Sequence, residues 1–230
     1  MQTTIEIYNQ RRDEIELYFS AIKQLYQATD IIDEEEKMDF HKDEFIKILK
    51  SNILLMIYNL VESSVMGGII EIYEKLKSQN LSYQTVSNEI KNIWFSFTFD
   101  QVYDKNAHYN SYRDKASQII SSILQNQPII LDRKATDISG NLDAEKIRQV
   151  CSSHGIYFNT PEGCRGGVVL DDVKDKRNQL AHGTLSFVEC GRDYSIDDLE
   201  KIKKETNIFL KGLLLDMKKY YDEQRYKAAT

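Results

Sequence analysis

The stretch ILLMIYNLVESSVMGGII, residues 53–70, is apolar around almost its whole circumference when wound as a helix. A surface helix keeps a polar face, so a segment without one marks the buried centre of a bundle. The exception is Glu62, which sits among Leu55, Tyr58 and Met66. A carboxylate in such surroundings requires a cation or several hydrogen-bond donors. The same helix is predicted to run over residues 40–78 and to be loosened at Gly67 and Gly68.

Outward from this centre the chain reads mostly as amphipathic helices. Residues 3–28 place Ile5, Tyr8, Ile15, Tyr18, Phe19, Ile22, Leu25 and Tyr26 at heptad-like spacing, which predicts one long helix. An acidic turn follows over residues 33–36. Residues 82–99 and 109–125 suggest two more helices, the first rich in β-branched and aromatic residues. Residues 128–140 read as a connector with room for a short strand at Ile129, Ile130 and Leu131. A short helix over residues 143–154 is ended by Gly155, in the left-handed position expected past a helix C-terminus. A glycine-rich loop, residues 159–167, leads into a helix over residues 168–182, and residues 184–194 read as a strand or hairpin arm around Gly191. Ser195 caps a final helix over residues 195–221, with Asp197 and Asp198 favourable in its first turn. The expected fold is therefore all-α. It is a helical bundle with long antiparallel helices and at most a minor short strand or hairpin, forming a single domain over residues 1–230.

Composition narrows the function classes. A chain of 230 residues, 41% hydrophobic and 29% charged, describes an ordinary soluble globular protein with a sizeable core. The longest uncharged apolar run, residues 51–61, is about half of a membrane span, so no membrane partner is expected. No apolar region follows basic residues at the N-terminus, and three cysteines (Cys151, Cys164, Cys190) do not make a disulfide framework. A cytoplasmic setting follows. The net charge of −6 argues against a simple nucleic-acid binder, because phosphate contacts usually demand a basic surplus. Any nucleic-acid contact must be local, at Lys174, Lys176 and Arg177 or at Lys201, Lys203 and Lys204; each lysine also reads as part of a solvated helix face.

The helix over residues 168–182 carries the candidate chemistry, in the run Lys176-Arg177-Asn178-Gln179-Leu180-Ala181-His182-Gly183. At about 100° per residue, Val169, Val173 and Leu180 share a face that Leu170 and Ala181 extend. Arg177 falls inside that arc, and Asn178 and His182 stack four residues apart just beyond its edge. A guanidinium is seldom buried without a partner, so Arg177 either pairs with a carboxylate or faces a cleft or subunit interface. Glu62 is the candidate partner. It would lie near Arg177 or His182, either orienting the site or merely fixing helix register. An arginine, an amide and an imidazole together suffice to grip a phosphodiester and move a proton beside it.

Arg177-Asn178, followed after three residues by His182, resembles the R-x(4–6)-H motif of the HEPN superfamily, with the polar second position that its nuclease members usually carry. Residues 140–156, from Gly140-Asn141-Leu142-Asp143 to His154-Gly155-Ile156, resemble a segment found before the motif in the larger prokaryotic MAE-type and RiboL-PSP-like groups. Two long N-terminal helices ahead of a later motif helix agree, and the resemblance covers most of the chain. It implies an all-α HEPN-like domain that forms homodimers with the motif helices facing each other. It also implies a metal-independent endoribonuclease without cofactor, in a toxin–antitoxin or phage-defence setting. Carried over to this chain, it makes Arg177, Asn178 and His182 the catalytic set and Glu62 the supporting acidic position on the second core helix.

The residues fit that chemistry. RNA brings its own nucleophile, the 2′-OH, and an imidazole serves as general base or general acid near neutral pH. Arg177 would stabilise the phosphorane by bidentate hydrogen bonds, and Asn178 would orient the histidine or donate to a phosphate oxygen. A dimer would bring two His182 to one cleft, with Lys174 and Lys176 as RNA contacts. The acidic balance points to restrained activity or to a neutralising antitoxin or defence-system partner. The alternative is a non-catalytic helical module of the same type that binds a partner protein or nucleotide. A zinc site from Cys151, His154, Cys164 and Cys190 lacks the paired Cys-x-x-Cys knuckles. The loop Gly163-Cys164-Arg165-Gly166-Gly167 lacks the Gly-Lys-Ser/Thr of a P-loop and reads as a border of the RNA cleft.

Overall fold

In the computed structural model, which describes residues 1–29, 42–100, 109–138 and 140–228, the apolar stretch of residues 53–70 lies inside one uninterrupted helix. The described residues form α1 (Gln2–Thr29), α2 (Lys42–Ser78), α3 (Asn88–Asp100), α4 (Tyr109–Leu124), α5 (Ala144–Ser153), α6 (Val169–Ala181), α7 (Phe187–Arg192) and α8 (Ile196–Asp222). Helix α2 is the axis: α1, α6, α7 and α8 all pack on it. Ile53, Leu54, Val65, Ile69 and Ile72 are fully buried, and each such side chain contributes roughly 1.5–3 kcal/mol on leaving water. By length and hydropathy α2 could also cross a bilayer, but in this fold its apolar surface is spent on its helical neighbours.

The long helices are antiparallel, as expected. Thr4 N–H donates to Glu71, Arg11 to the Asn59 carbonyl and Tyr18 to the Leu49 carbonyl, so α1 descends as α2 rises. Helix α8 also opposes α1, through Tyr8 to Asn207 and Lys23 to Glu200. One hydrophobic cluster joins residues from Met1 to Tyr226.

Four local expectations need revision. Gly67 and Gly68 do not loosen α2; they let neighbours approach it. A Cβ on Gly67 would lie 3.2 Å from Thr4, and one on Gly68 2.7 Å from the Met217 methyl. Residues 82–87 are not helical, because the Thr85 hydroxyl bonds both the N–H and the carbonyl of Ser82 and closes a turn. The strand expected at residues 129–131 reduces to an isolated bridge between Ser82 and Pro128, with the Ile129 N–H on the Leu81 carbonyl. The strand or hairpin arm at residues 184–194 is instead helix α7, opened by a capping box in which Ser186 and Glu189 bond each other's backbone N–H. Gly191 serves that helix: a Cβ there would fall 1.9 Å from the Lys47 carbonyl oxygen of α2. The acidic turn at residues 33–36 lies outside the described residues.

Candidate functional site

Helix α6 places the motif. Asp171 and Asp172 occupy its first turn, where the helix dipole favours them. Its C-terminus closes on His182, with Gly183 at φ +70°. The Gly183 N–H donates to Leu180 O and the Thr184 N–H to Gln179 O, the paired bonds of a Schellman motif. Val169, Leu170, Val173 and Leu180 are buried as the periodicity requires, whereas Ala181 is exposed.

Arg177 is half-buried, and its partners are neutral. Its guanidinium stands 4.7 Å from the centroid of the Tyr58 ring on α2. Its Nη1 donates to Asn178 Oδ1 at 2.9 Å and to the Gly140 carbonyl at 3.4 Å. Among the described residues no carboxylate pairs with it. Gly140 has φ +76°, a conformation that side-chain-bearing residues rarely adopt, and a Cβ there would stand 3.7 Å from Arg177 Nη2.

The segment before α5 braces this arrangement residue by residue. Gly140 takes Arg177, and the Asn141 side-chain oxygen accepts from Asn178 Nδ2 at 2.8 Å. The Leu142 N–H donates to the Tyr58 hydroxyl at 3.2 Å. Asp143 accepts from Lys174 Nζ at 2.8 Å and caps α5 through the Lys146 N–H. Burial works against ionisation of Asp143, but those donors hold its carboxyl below the ordinary carboxylate range. Burial holds the Tyr58 phenol above its usual value, aided by the Glu62 charge and opposed by the Leu142 N–H, Arg177 and Lys174.

Other candidates fall elsewhere. Glu62 pairs with Arg133 at 3.6 Å and, among the described residues, makes no bond to Arg177 or His182; its charge acts on Tyr58, one helical turn earlier on α2. Its side chain is 23% exposed, so it is not the deeply buried carboxylate that its apolar neighbours imply. Lys174 pairs with Asp143, Lys176 with Asp193 and Lys203 with Glu16, whereas Lys201 and Lys204 are exposed. The glycine-rich loop enters α6 at the end opposite His182, about 20 Å away at 1.5 Å per residue. Its Arg165 is tied to Glu205, so the loop does not border the motif of its own chain.

His182 itself is exposed, and its ring bonds no described residue. His154, by contrast, is buried, with Nδ1 2.7 Å from the Val150 carbonyl and Nε2 2.7 Å from the Tyr73 hydroxyl. Because a carbonyl only accepts, Nδ1 carries the proton and Nε2 accepts from Tyr73. Cys151 is buried and its thiol is pushed up to about 12, while the Cys164 thiol donates to the Pro161 carbonyl. Among the described residues no three His, Cys, Asp or Glu side chains are grouped to hold a metal ion.

Sequence reasoning passed over Tyr58 and Asn141 as site residues. Tyr58 is hidden in an apolar run, and Asn141 carries no signal of its own within residues 140–156.

The geometry thus joins the motif helix, the segment at residues 140–143 and α2 into one unit. No curated protein and no solved structure matches the chain. The pattern of the MAE_28990-like HEPN family matches residues 2–226, almost the entire length. That family points to a HEPN-type nuclease or related module, and with so complete a match the chain belongs to the MAE_28990-like HEPN family.

Proposed function

We propose that this protein is a metal-independent endoribonuclease whose catalytic set is Arg177, Asn178 and His182, acting at a cleft between two copies. The observation that carries the reading is the neutral surrounding of Arg177. A ring face, an amide oxygen and a carbonyl hold the guanidinium without neutralising it, so its charge is left for a phosphate. The free ring of His182 lies on the same helix four residues beyond Asn178.

In this mechanism the 2′-OH of RNA attacks the adjacent phosphorus and its proton passes to His182 as general base. Arg177 stabilises the charge that gathers on the phosphorane oxygens. The 5′-oxygen leaves with a proton from His182 of the partner subunit, because one imidazole cannot serve both sides of an in-line displacement. The products are a 2′,3′-cyclic phosphate and a 5′-hydroxyl, and DNA, lacking the 2′-OH, is inert. Glu62 supports the site at a distance through Tyr58, and Lys174 and Lys176 hold its frame through Asp143 and Asp193. An acidic RNase of this kind suits a toxin–antitoxin or phage-defence role in the cytoplasm, restrained by a neutralising partner.

The deciding experiment is cleavage of total cellular RNA in excess EDTA by the wild type, His182→Ala and Arg177→Ala. Cleavage by the wild type, with cyclic-phosphate ends, that falls at least about a hundredfold in each variant supports the proposal. A well-folded protein that never turns over RNA, yet binds a nucleotide or protein through the same surface, would be the non-catalytic module instead.

A further inference from the structure

We infer that Tyr58 is the positioning residue of the motif, the side chain that sets where the Arg177 guanidinium stands; this rests on the nuclease reading above. The argument begins with a convergence. The Tyr58 ring lies 4.7 Å from the guanidinium, and its hydroxyl accepts the Leu142 N–H at 3.2 Å. Leu142 sits between residues that hold the motif from the other side: Gly140 on Arg177, Asn141 on Asn178 and Asp143 on Lys174. One side chain on the central helix therefore meets both the catalytic arginine and the segment that braces it. At 1% exposure it does so from inside the core, where packing holds its rotamer.

The residue type matters. A carboxylate beneath Arg177 would also fix it, but would cancel the charge that the phosphorane needs. An aromatic face attracts the cation through its quadrupole and adds no net charge. Phenylalanine would supply the face yet leave the Leu142 N–H without its acceptor, and leucine would supply neither. Tyrosine does both. The transition state gathers charge at the phosphate, so misplacing the guanidinium is felt in kcat, while contacts along the rest of the strand keep KM nearly unchanged.

The test measures cleavage of a short RNA by Tyr58→Phe and Tyr58→Leu, each alone and combined with Arg177→Ala. The expected loss in kcat is about threefold for Tyr58→Phe and about tenfold or more for Tyr58→Leu, with KM within about twofold. In the Arg177→Ala background neither change should lower kcat further, since the group being positioned is gone. Equal losses in both backgrounds would overturn the inference and leave Tyr58 as packing alone. A readout without turnover keeps the two ideas apart: the 15N–1H resonance of Arg177 Nε. Lying against the ring, it should move strongly in Tyr58→Leu and little in Tyr58→Phe, which keeps the ring and its volume. If the wild type cleaves no RNA, the nuclease reading fails while this resonance still reports on positioning. A resonance indifferent to Tyr58→Leu overturns the positioning role whether or not RNA is cut.

Discussion

Helices α5 and α6 end alike, and the two ends have opposite fates. Each closes on histidine then glycine, His154-Gly155 and His182-Gly183. The histidines share a backbone, φ −91°, ψ −4° and φ −88°, ψ −3°, and the glycines sit at φ +73° and +70°. Both make the same Schellman bonds, Gly155 to Ser152 with Ile156 to Cys151, and Gly183 to Leu180 with Thr184 to Gln179. Yet His154 is 1% exposed and bonded at both ring nitrogens, whereas His182 lies open. The difference enters one residue later. Ile156 is buried, its closing hydrophobic contact drawing the turn inward, while Thr184 is exposed. A shared local motif shapes the backbone; the company it keeps decides whether an imidazole is a structural strut or is left exposed.

The sharpest way to break this comparison is to delete each ring. His182→Ala is expected to lower RNA cleavage about a thousandfold, while stability stays within about 0.5 kcal/mol, because the lost ring is exposed and bonds no described residue. His154→Ala should do the reverse: it opens a hole beside Tyr73 and should cost about 3 kcal/mol, with activity per folded molecule retained. Single-turnover cleavage and urea unfolding of both variants read the two effects. Similar profiles for the two would dissolve the distinction.

Acid separates the histidines more gently. Burial lowers the His154 pKa to about 4, against about 6.5 in an unfolded chain. The unfolded state therefore takes up the proton first. The stability this neutral histidine contributes is fully present above pH 6.5, and falls as pH drops through the window down to about 4. The expected loss is about 2 kcal/mol between pH 7 and pH 5. Unfolding at the two pH values, beside His154→Gln, isolates it: a variant with an unchanged pH slope would remove His154 as the cause.

The smallest effect lies in the glycines. Alanine at either pays for a left-handed backbone, about 1 kcal/mol. Only at Gly155 does the new Cβ also meet a neighbour, Glu89 at 3.2 Å, whereas Gly183 has open space within 4 Å. Gly155→Ala should thus lower the melting temperature more than Gly183→Ala. The reverse order would mean that the α6 end is the more tightly held.

Much of this molecule is decided locally and is legible along the chain. Periodicity, the Ser195 and Asp143 caps and the glycines past α5 and α6 place most helix boundaries, because turns and caps are made by residues a few positions apart. The α7 capping box, Ser186-Phe187-Val188-Glu189, was equally local and could have corrected the strand reading. The motif itself, Arg177, Asn178 and His182 on one helix, also stands in the sequence. Which partner each charge takes does not. Glu62 goes to Arg133, Arg177 to the face of Tyr58, and Lys174 to Asp143. These choices depend on which distant segments the packed bundle brings within a few ångströms, and both ionic and cation–π attraction fall off steeply beyond that distance. The sequence alone thus determined most of the helices and which residues are candidates for the chemistry. Only the tertiary structure decided that Arg177 rests on an uncharged ring and that His182, not His154, faces outward, because burial and through-space contact exist only once the helices have packed.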